Sequence, residues 1–375
     1  MPTRRNVLEI LAGAAPLAAG CAPLPQADVA AAWRSPGAGE RDPRRFALAH
    51  AILAPNPHNR QPWLLDLPGR DEIVLWPDLG RLLPQTDPFN RQIVVGCGAF
   101  LELLDLAARE LGLRAEVTPW PEGEPQPRLD HRPVAHVRLS TGGERDPLYG
   151  QVLKRRTNRT PYAEKLPPQT DLSAVASAAG GPGLEAGAVT APELLARLKD
   201  VAWRGWTIED ETPATHMESV RLMRIGAKEM AAQRDGIGLA GPALELMHGL
   251  GLLTRETLAD PTSFASRQGA QMWRKLIAAT PAFFWLKSDD NSRTTQLAAG
   301  RAYARAQLAA TGLGLAMHPW SMTLQEYPEM AEPYRTTQAA LAARPDAPLQ
   351  MLTRIGYGRA VPSAPRRGLA EHLKS

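Results

Sequence analysis

Apolar positions first settle into a helical rhythm over residues 42–53, where Phe46, Ala49 and Leu53 recur at helical spacing beside the charged Arg41, Arg44 and Arg45. The rhythm then breaks. Residues 64–67 and 72–76 read as two short strands about a turn at Pro68-Gly69, and residues 84–88 form a further turn. After a lead-in over 91–95, Phe100, Leu103, Leu104, Ala107, Ala108 and Leu111 share one helical face that Gly112 closes, which predicts a core helix. Strands at 116–120 and 134–139 follow, separated by the polar, proline-rich stretch 122–133.

A second half begins near Leu148. The Ala- and Gly-rich residues 173–187 are either a linker or a strand and turn, and 193–206 and 215–233 read as helices, the latter only loosely periodic. Gly236, Gly238 and Gly241 satisfy G-x-G-x-x-G, but no strand precedes them and Pro242 follows where a phosphate-binding helix should be under way. That stretch is therefore a helix break or a mobile lid, and 234–270 a cover over a pocket. Residues 281–287 predict a buried strand and 351–357 another. Between them, 296–311 is a helix whose Gly300, Ala304, Leu308 and Thr311 admit a close partner helix.

A chain of 375 residues that is 44% apolar and 22% charged can bury a large core, as one big domain or two smaller ones. Its 43 basic and 39 acidic residues are spread along the chain, so there is no nucleic-acid footprint. The eight histidines are scattered without an H-E-x-x-H, no cysteine pair has ligand spacing, and no G-x-S-x-G elbow places a nucleophilic serine. Neither zinc nor serine-hydrolase chemistry is indicated. Cys97, between Gly96 and Gly98, reads as a small buried residue rather than a nucleophile.

Two polar stretches carry candidate chemistry. The first, LAPNPHNRQPW at 53–63, holds three prolines and so must be a loop. It is either a plain connection or a rigid loop that presents amides and backbone groups to a planar ligand. The second, Lys154-Arg155-Arg156-Thr157-Asn158-Arg159, is either a solvated basic helix end or a phosphate site, since guanidiniums offer paired donors and a lasting charge.

Together these stretches resemble the flavin-dependent nitroreductase family. Ala54-Pro55-Asn56 with Asn59, Gln61, Pro62 and Trp63 resembles its A-P-S and N-x-Q-P-W loop, and Arg155 to Arg159, with Pro161 and Tyr162 after them, resembles its R-R-S-x-R opening. Residues 297–320 are similar to its second central helix, and Arg366-Arg367-Gly368-Leu369 to its closing basic segment. The loop falls in the first half (42–147) and the arginine motif in the second (148–375, with a lid-like insertion at about 200–270), so the chain resembles the fused, Acg-type FMN-binding branch. The resemblance implies an α+β fold with a central antiparallel sheet and flanking helices, a single-chain, monomeric pseudo-dimer holding one FMN between its halves. It further implies that Pro57, His58, Asn59 and Gln61 meet the flavin, and that Arg155, Arg156, Thr157, Arg159, Arg366 and Arg367 meet its phosphate. The implied reaction passes a hydride from NAD(P)H or another donor through FMN to a nitroaromatic, quinone or similar small-molecule acceptor. The alternative is a flavin-sequestering protein with an occluded pocket and no turnover.

At the start of the chain, Arg4-Arg5 followed by a weakly apolar run over 10–19 resembles a twin-arginine export signal, and Leu17 to Cys21 resembles a lipobox. Val7, Glu9 and Ala18 depart from the usual residues, and the alternative is an amphipathic helix with a solvated basic end. The export reading makes 1–26 a signal segment and puts the protein in the periplasm, or anchored through a lipid on Cys21. Free NAD(P)H is scarce there, so that reading also calls for another donor. No run approaches the roughly 18 apolar residues of a membrane span.

Overall fold

A computed structural model describes residues 29–374. The export signal and Cys21 lie outside the described residues. In the first half, Asp42 caps α1 (Pro43–Ala51) by accepting from the Arg44 backbone N–H, with Pro43 supplying the first turn. The strands β1 (Trp63–Asp66) and β2 (Glu72–Pro77) form a hairpin, and α2 (Arg91–Glu110) leads to β3 (Leu113–Pro119) and β4 (Ala135–Thr141). These strands pair antiparallel in the order β1-β2-β4-β3.

The second half opens with α3 (Gln169–Ala178) and β5 (Leu184–Val189). A long insertion follows: α4 (Pro192–Glu211), α5 (Pro213–Leu222), β6 (Met223–Ile225), α6 (Gly226–Ala232), β7 (Ile237–Leu239), α7 (Pro242–Gly249), α8 (Arg255–Ala259) and α9 (Phe264–Ala278). The chain then returns through β8 (Ala282–Ser288), α10 (Arg293–Gly312), β9 (Ala316–Pro319), α11 (Ala331–Ala340) and β10 (Leu349–Gly356). The second sheet runs β5-β8-β10-β9. Counted from its own first strand, each sheet has the order 1-2-4-3, and α2 and α10 each stand between the second and third strands of their half.

The fold is α+β, and the antiparallel sheet expected from the sequence is present as two four-stranded sheets, one in each half, beside a small parallel pair in the insertion. Alternation marks a strand's buried face and says nothing of its neighbour. The expected helix over 215–233 is also divided. Residues 223–225 pair in parallel with 237–239, and Gly226 turns the chain with φ +78°.

The halves meet where α2 crosses α10. A Cβ on Gly98 would lie 2.1 Å from the Leu297 carbonyl oxygen, and one on Gly300 would lie 2.0 Å from that of Val95, so the crossing is fixed by the absence of side chains. Beside it, the buried Glu102 of α2 accepts from Arg301 (2.9 Å) and Arg305 (2.8 Å) of α10. Cys97 is fully buried, and burial pushes its thiol up to about 12. After β10 the tail returns to the first half. There the Leu65 N–H donates to the His372 carbonyl (2.8 Å) and the Lys374 N–H to the Leu65 carbonyl (2.8 Å), extending the first sheet beyond β1. Among the described residues no helix is long and apolar enough to cross a membrane.

Candidate functional site

A cavity of about 420 Å³ opens between the halves beneath the insertion. The first half supplies residues 55–58 and the start of α2, the second supplies Thr157, Arg159 and Tyr303, and the insertion supplies an aromatic wall. The loop at 55–63 lies on α2, where even a methyl group at Gly96 would press on Asn56 Cβ (3.2 Å) and Pro57 Cδ (3.3 Å). His58, Asn59 and Gln61 all adopt left-handed backbone, with φ of +49°, +52° and +51°. Such conformations cost free energy in non-glycine residues and persist only where surroundings over-determine them.

Those surroundings are arginines and amides. The Arg366 guanidinium donates to the carbonyls of Ile52 (3.1 Å), Leu53 (3.3 Å) and Ala54 (3.0 Å) and to the Asn59 amide oxygen. Asn59 in turn donates to the Pro365 carbonyl (3.0 Å). Gln61, fully buried, donates to the Arg234 carbonyl (2.9 Å) and accepts from the Arg367 N–H (2.9 Å), while Arg367 donates to the Gln61 carbonyl (2.8 Å). Arg155 donates to the Leu53 carbonyl (3.0 Å) and to Gln307 (3.2 Å), and Arg156 to the Leu153 and Arg155 carbonyls (2.7 Å each). The Trp33 ring lies 5.5, 4.8 and 5.5 Å from the guanidinium carbons of Arg155, Arg156 and Arg366.

The structure thus divides the ten residues singled out from the sequence. Pro57, His58, Thr157 and Arg159 line the cavity. Asn59, Gln61, Arg155, Arg156, Arg366 and Arg367 gather away from the cavity, each donating to protein acceptors, while Arg155 Nε and Arg367 Nε are buried without a partner. Burial lowers the pKa of Arg155 and of Arg367 to about 10. It lowers that of Arg366 well below the usual range, with the neighbouring Arg155 and Arg156 charges adding to the effect. Arg159 differs. It has no hydrogen bond or ion pair to protein among the described residues, and the surface it exposes lines the cavity.

Several functional candidates escaped sequence reading. Glu209, at the end of α4, accepts from Gln325 Nε2 (2.7 Å) and from Ser219 Oγ (3.3 Å), and Ser219 Oγ lies 3.2 Å from His58 Nε2. Burial raises the Glu209 carboxyl to about 7, whereas burial and the charges of Arg159 and Arg60 lower His58 to about 4. Gln325 Oε1 is buried with no partner. Trp206 and Trp273 face each other with ring centroids 6.5 Å apart. Two carboxylates of the insertion, Asp235 and Glu218, fasten it to the first half. Asp235 accepts from Arg224 and Arg81 (2.7 Å each), and Glu218 accepts from the Thr86 hydroxyl (2.7 Å) and N–H (2.9 Å). None of these residues belongs to a motif that the sequence displays.

No family model matches the chain. Over 340 residues, 87% of this chain and 90% of the relative, it is 27% identical to the Mycobacterium tuberculosis protein Rv3131, which carries the name of an NAD(P)H nitroreductase. The chain is similar to proteins named as nitroreductases over nearly nine tenths of its length. A second nitroreductase-named relative of that organism, acg, is 33% identical over 128 residues, 34% of this chain and 38% of its own. Among solved structures, the FMN-dependent nitroreductase NfnB of Mycobacterium smegmatis, in complex with NADPH, aligns with 60% of this chain and 96% of its own at 18% identity and TM-score 0.37. An iodotyrosine deiodinase bound to FMN and 3-iodo-L-tyrosine aligns with 59% of this chain and 95% of its own, at 17% identity and TM-score 0.35.

Proposed function

We propose that this chain is an FMN-dependent oxidoreductase that uses NAD(P)H to reduce a planar acceptor, a nitroaromatic or a quinone, in the cavity beneath the insertion. The observation that carries the reading is a pair of unsatisfied groups in one aromatic-walled cavity: the unpaired Arg159 guanidinium and the orphaned Gln325 amide oxygen. A cavity of about 420 Å³ falls within the span of roughly 300–1,000 Å³ usual for small-molecule sites. The donor set suits the cofactor. Arg159 and Thr157 would hold its phosphate, Gln325 and Gln92 would meet the polar edge of its ring, and Pro57, Val95 and Gly96 would give the ring an apolar bed. When bound, FMN supplies the hydride and electron chemistry that no side chain here possesses. Nicotinamide as donor is supported by the name of Rv3131, and a flat acceptor by the tryptophan wall.

The carboxylate fastenings of the insertion favour a second reading, in which the chain holds flavin without turnover. One experiment separates the two. The purified chain is titrated with FMN, then mixed anaerobically with NADH or NADPH, followed by a quinone. The oxidoreductase reading expects one FMN per chain, bleached within seconds and recoloured by the quinone. Flavin that only dithionite reduces supports the second reading, and no flavin binding removes both.

We propose in addition that Arg4 and Arg5 direct twin-arginine export, with Cys21 as a lipid site, on the strength of those residues alone. Replacing both arginines by lysine should trap precursor in the cytoplasm. Unchanged export would overturn the proposal.

A further inference from the structure

Three side chains from separate parts of the chain form a hydrogen-bonded line on the cavity wall. Glu209 comes from the last turn of α4, Ser219 from α5, and His58 from the left-handed loop of the first half. Ser219 Oγ stands between the other two, 3.3 Å from Glu209 Oε1 and 3.2 Å from His58 Nε2. Gln325 Nε2 fixes the second carboxyl oxygen at 2.7 Å. His58 Nδ1 has no protein partner among the described residues, and all three side chains line the cavity. We propose that this line is a proton relay in which Glu209 stores a proton that Ser219 and His58 pass to the oxygen of an acceptor in the cavity. It rests on the oxidoreductase reading above.

The chemistry requires such a group. A quinone that takes a hydride equivalent gains two electrons and one proton and becomes a hydroquinone anion, which needs one further proton on oxygen. That proton leaves His58 Nδ1. Ser219 passes its own proton to His58 Nε2 and receives one from the Glu209 carboxyl. The line then stands with His58 Nε2–H donating to Ser219 and Ser219 donating to the Glu209 carboxylate. Water reprotonates Glu209 and the imidazole returns to its Nδ1–H tautomer by exchange with water in the cavity, so the net reaction consumes one solvent proton for each donor molecule oxidised.

The surroundings divide the labour between the two ionisable members. Glu209 meets Asp210 on its own helix, Glu218 and His216 from α5, and Tyr327 from the segment after Gln325. Burial is the largest influence and the two acids add to it, against the hydrogen bonds from Gln325 and Ser219, so the carboxyl holds its proton up to about pH 7. His58 faces Arg159 and Arg60, and burial and these cations keep its ring neutral down to about pH 4. A neutral imidazole conducts a proton through its two nitrogens without retaining it.

Two measurements on the full chain test the relay. The first is infrared difference spectroscopy of the FMN-free protein across a pH titration. A protonated-carboxyl band should fade between pH 6 and 8 in the wild type and be missing in Glu209→Gln, which keeps the size and partners of the side chain. A wild type without that band would overturn the relay whether or not flavin turns over. The second, on the FMN-loaded protein reduced by NAD(P)H, is the ratio of the 1,4-benzoquinone rate to the ferricyanide rate, because ferricyanide takes electrons alone. The ratio should fall at least tenfold in Glu209→Gln and in Ser219→Ala, and its decline with pH should vanish in the former. A ratio within twofold of wild type in both variants overturns the relay. Failure of the wild type to bind FMN or to be bleached overturns the oxidoreductase reading instead, and the infrared titration still decides the carboxyl.

Discussion

Replacing Arg366 by alanine tests whether this guanidinium serves the loop or a phosphate. It donates to three successive carbonyls, those of Ile52, Leu53 and Ala54, and to Asn59. A hydrogen bond from a charged donor contributes about 1.5 kcal/mol at the low end, so losing these three costs about 4.5 kcal/mol, although Leu53 and Ala54 keep donors from Arg155 and Asn56. Removing a cation buried beside Arg155 and Arg156 returns part of that. The net expectation is a loss of about 3 kcal/mol in the flavin-free chain, or about 1 M in the urea midpoint at a slope near 3 kcal/mol/M. Because the loop would then lose its left-handed turns, FMN and riboflavin should weaken by the same factor. An unshifted urea midpoint, together with weakened FMN and unaltered riboflavin, would refute the reasoning and hand Arg366 to the phosphate.

The opposite pattern is expected for Arg159→Ala: FMN affinity should drop about ten- to a hundredfold in a fluorescence titration, with riboflavin and the urea midpoint little changed. Gly98→Ala places a methyl against the backbone of α10 and should cost about 3 kcal/mol in urea unfolding. Gly150→Ala, in open space, should change stability by less than about 0.5 kcal/mol. Glu209 rises from an ordinary 4.5 to about 7, so the folded chain alone keeps this proton between those values and its contribution to stability is lost as pH climbs through 7. His58 acts in the opposite sense at lower pH. The gain in unfolding free energy of Glu209→Gln over wild type should therefore grow between pH 5 and 8 by up to about 3 kcal/mol, measured by denaturant titration at each pH.

Much of this architecture could be read from residue order. The loop announced itself through prolines that forbid regular structure, and α10 through small residues at helical spacing. The start of α2 was obscured because Gly96 and Gly98 look like breakers, yet Gly98 is there to let a second backbone within touching distance. Side-chain direction was the harder matter. Asn59 and Gln61 have the donors a flavin edge needs, but the left-handed turns at both aim their amides at the tail and the insertion. The Glu209–Ser219–His58 line was invisible because its members are joined only by the docking of α5 onto a loop 161 residues earlier. Local periodicity has no access to such contacts.

The return of the tail to the first half also governs when the site can come into being. Arg366 reaches back 314 residues to Ile52, and Lys374 closes on Leu65. During synthesis the first half emerges with its loop carbonyls exposed, and of the three that Arg366 meets only Leu53 and Ala54 have other donors, in Arg155 and Asn56. The Ile52 carbonyl and the Asn59 amide oxygen therefore wait for Arg366, and the loop is finished only once that residue has docked. Trimming even the last few codons beyond Pro365 would yield a protein with both sheets and the helix crossing in place, and no finished loop beside the cavity.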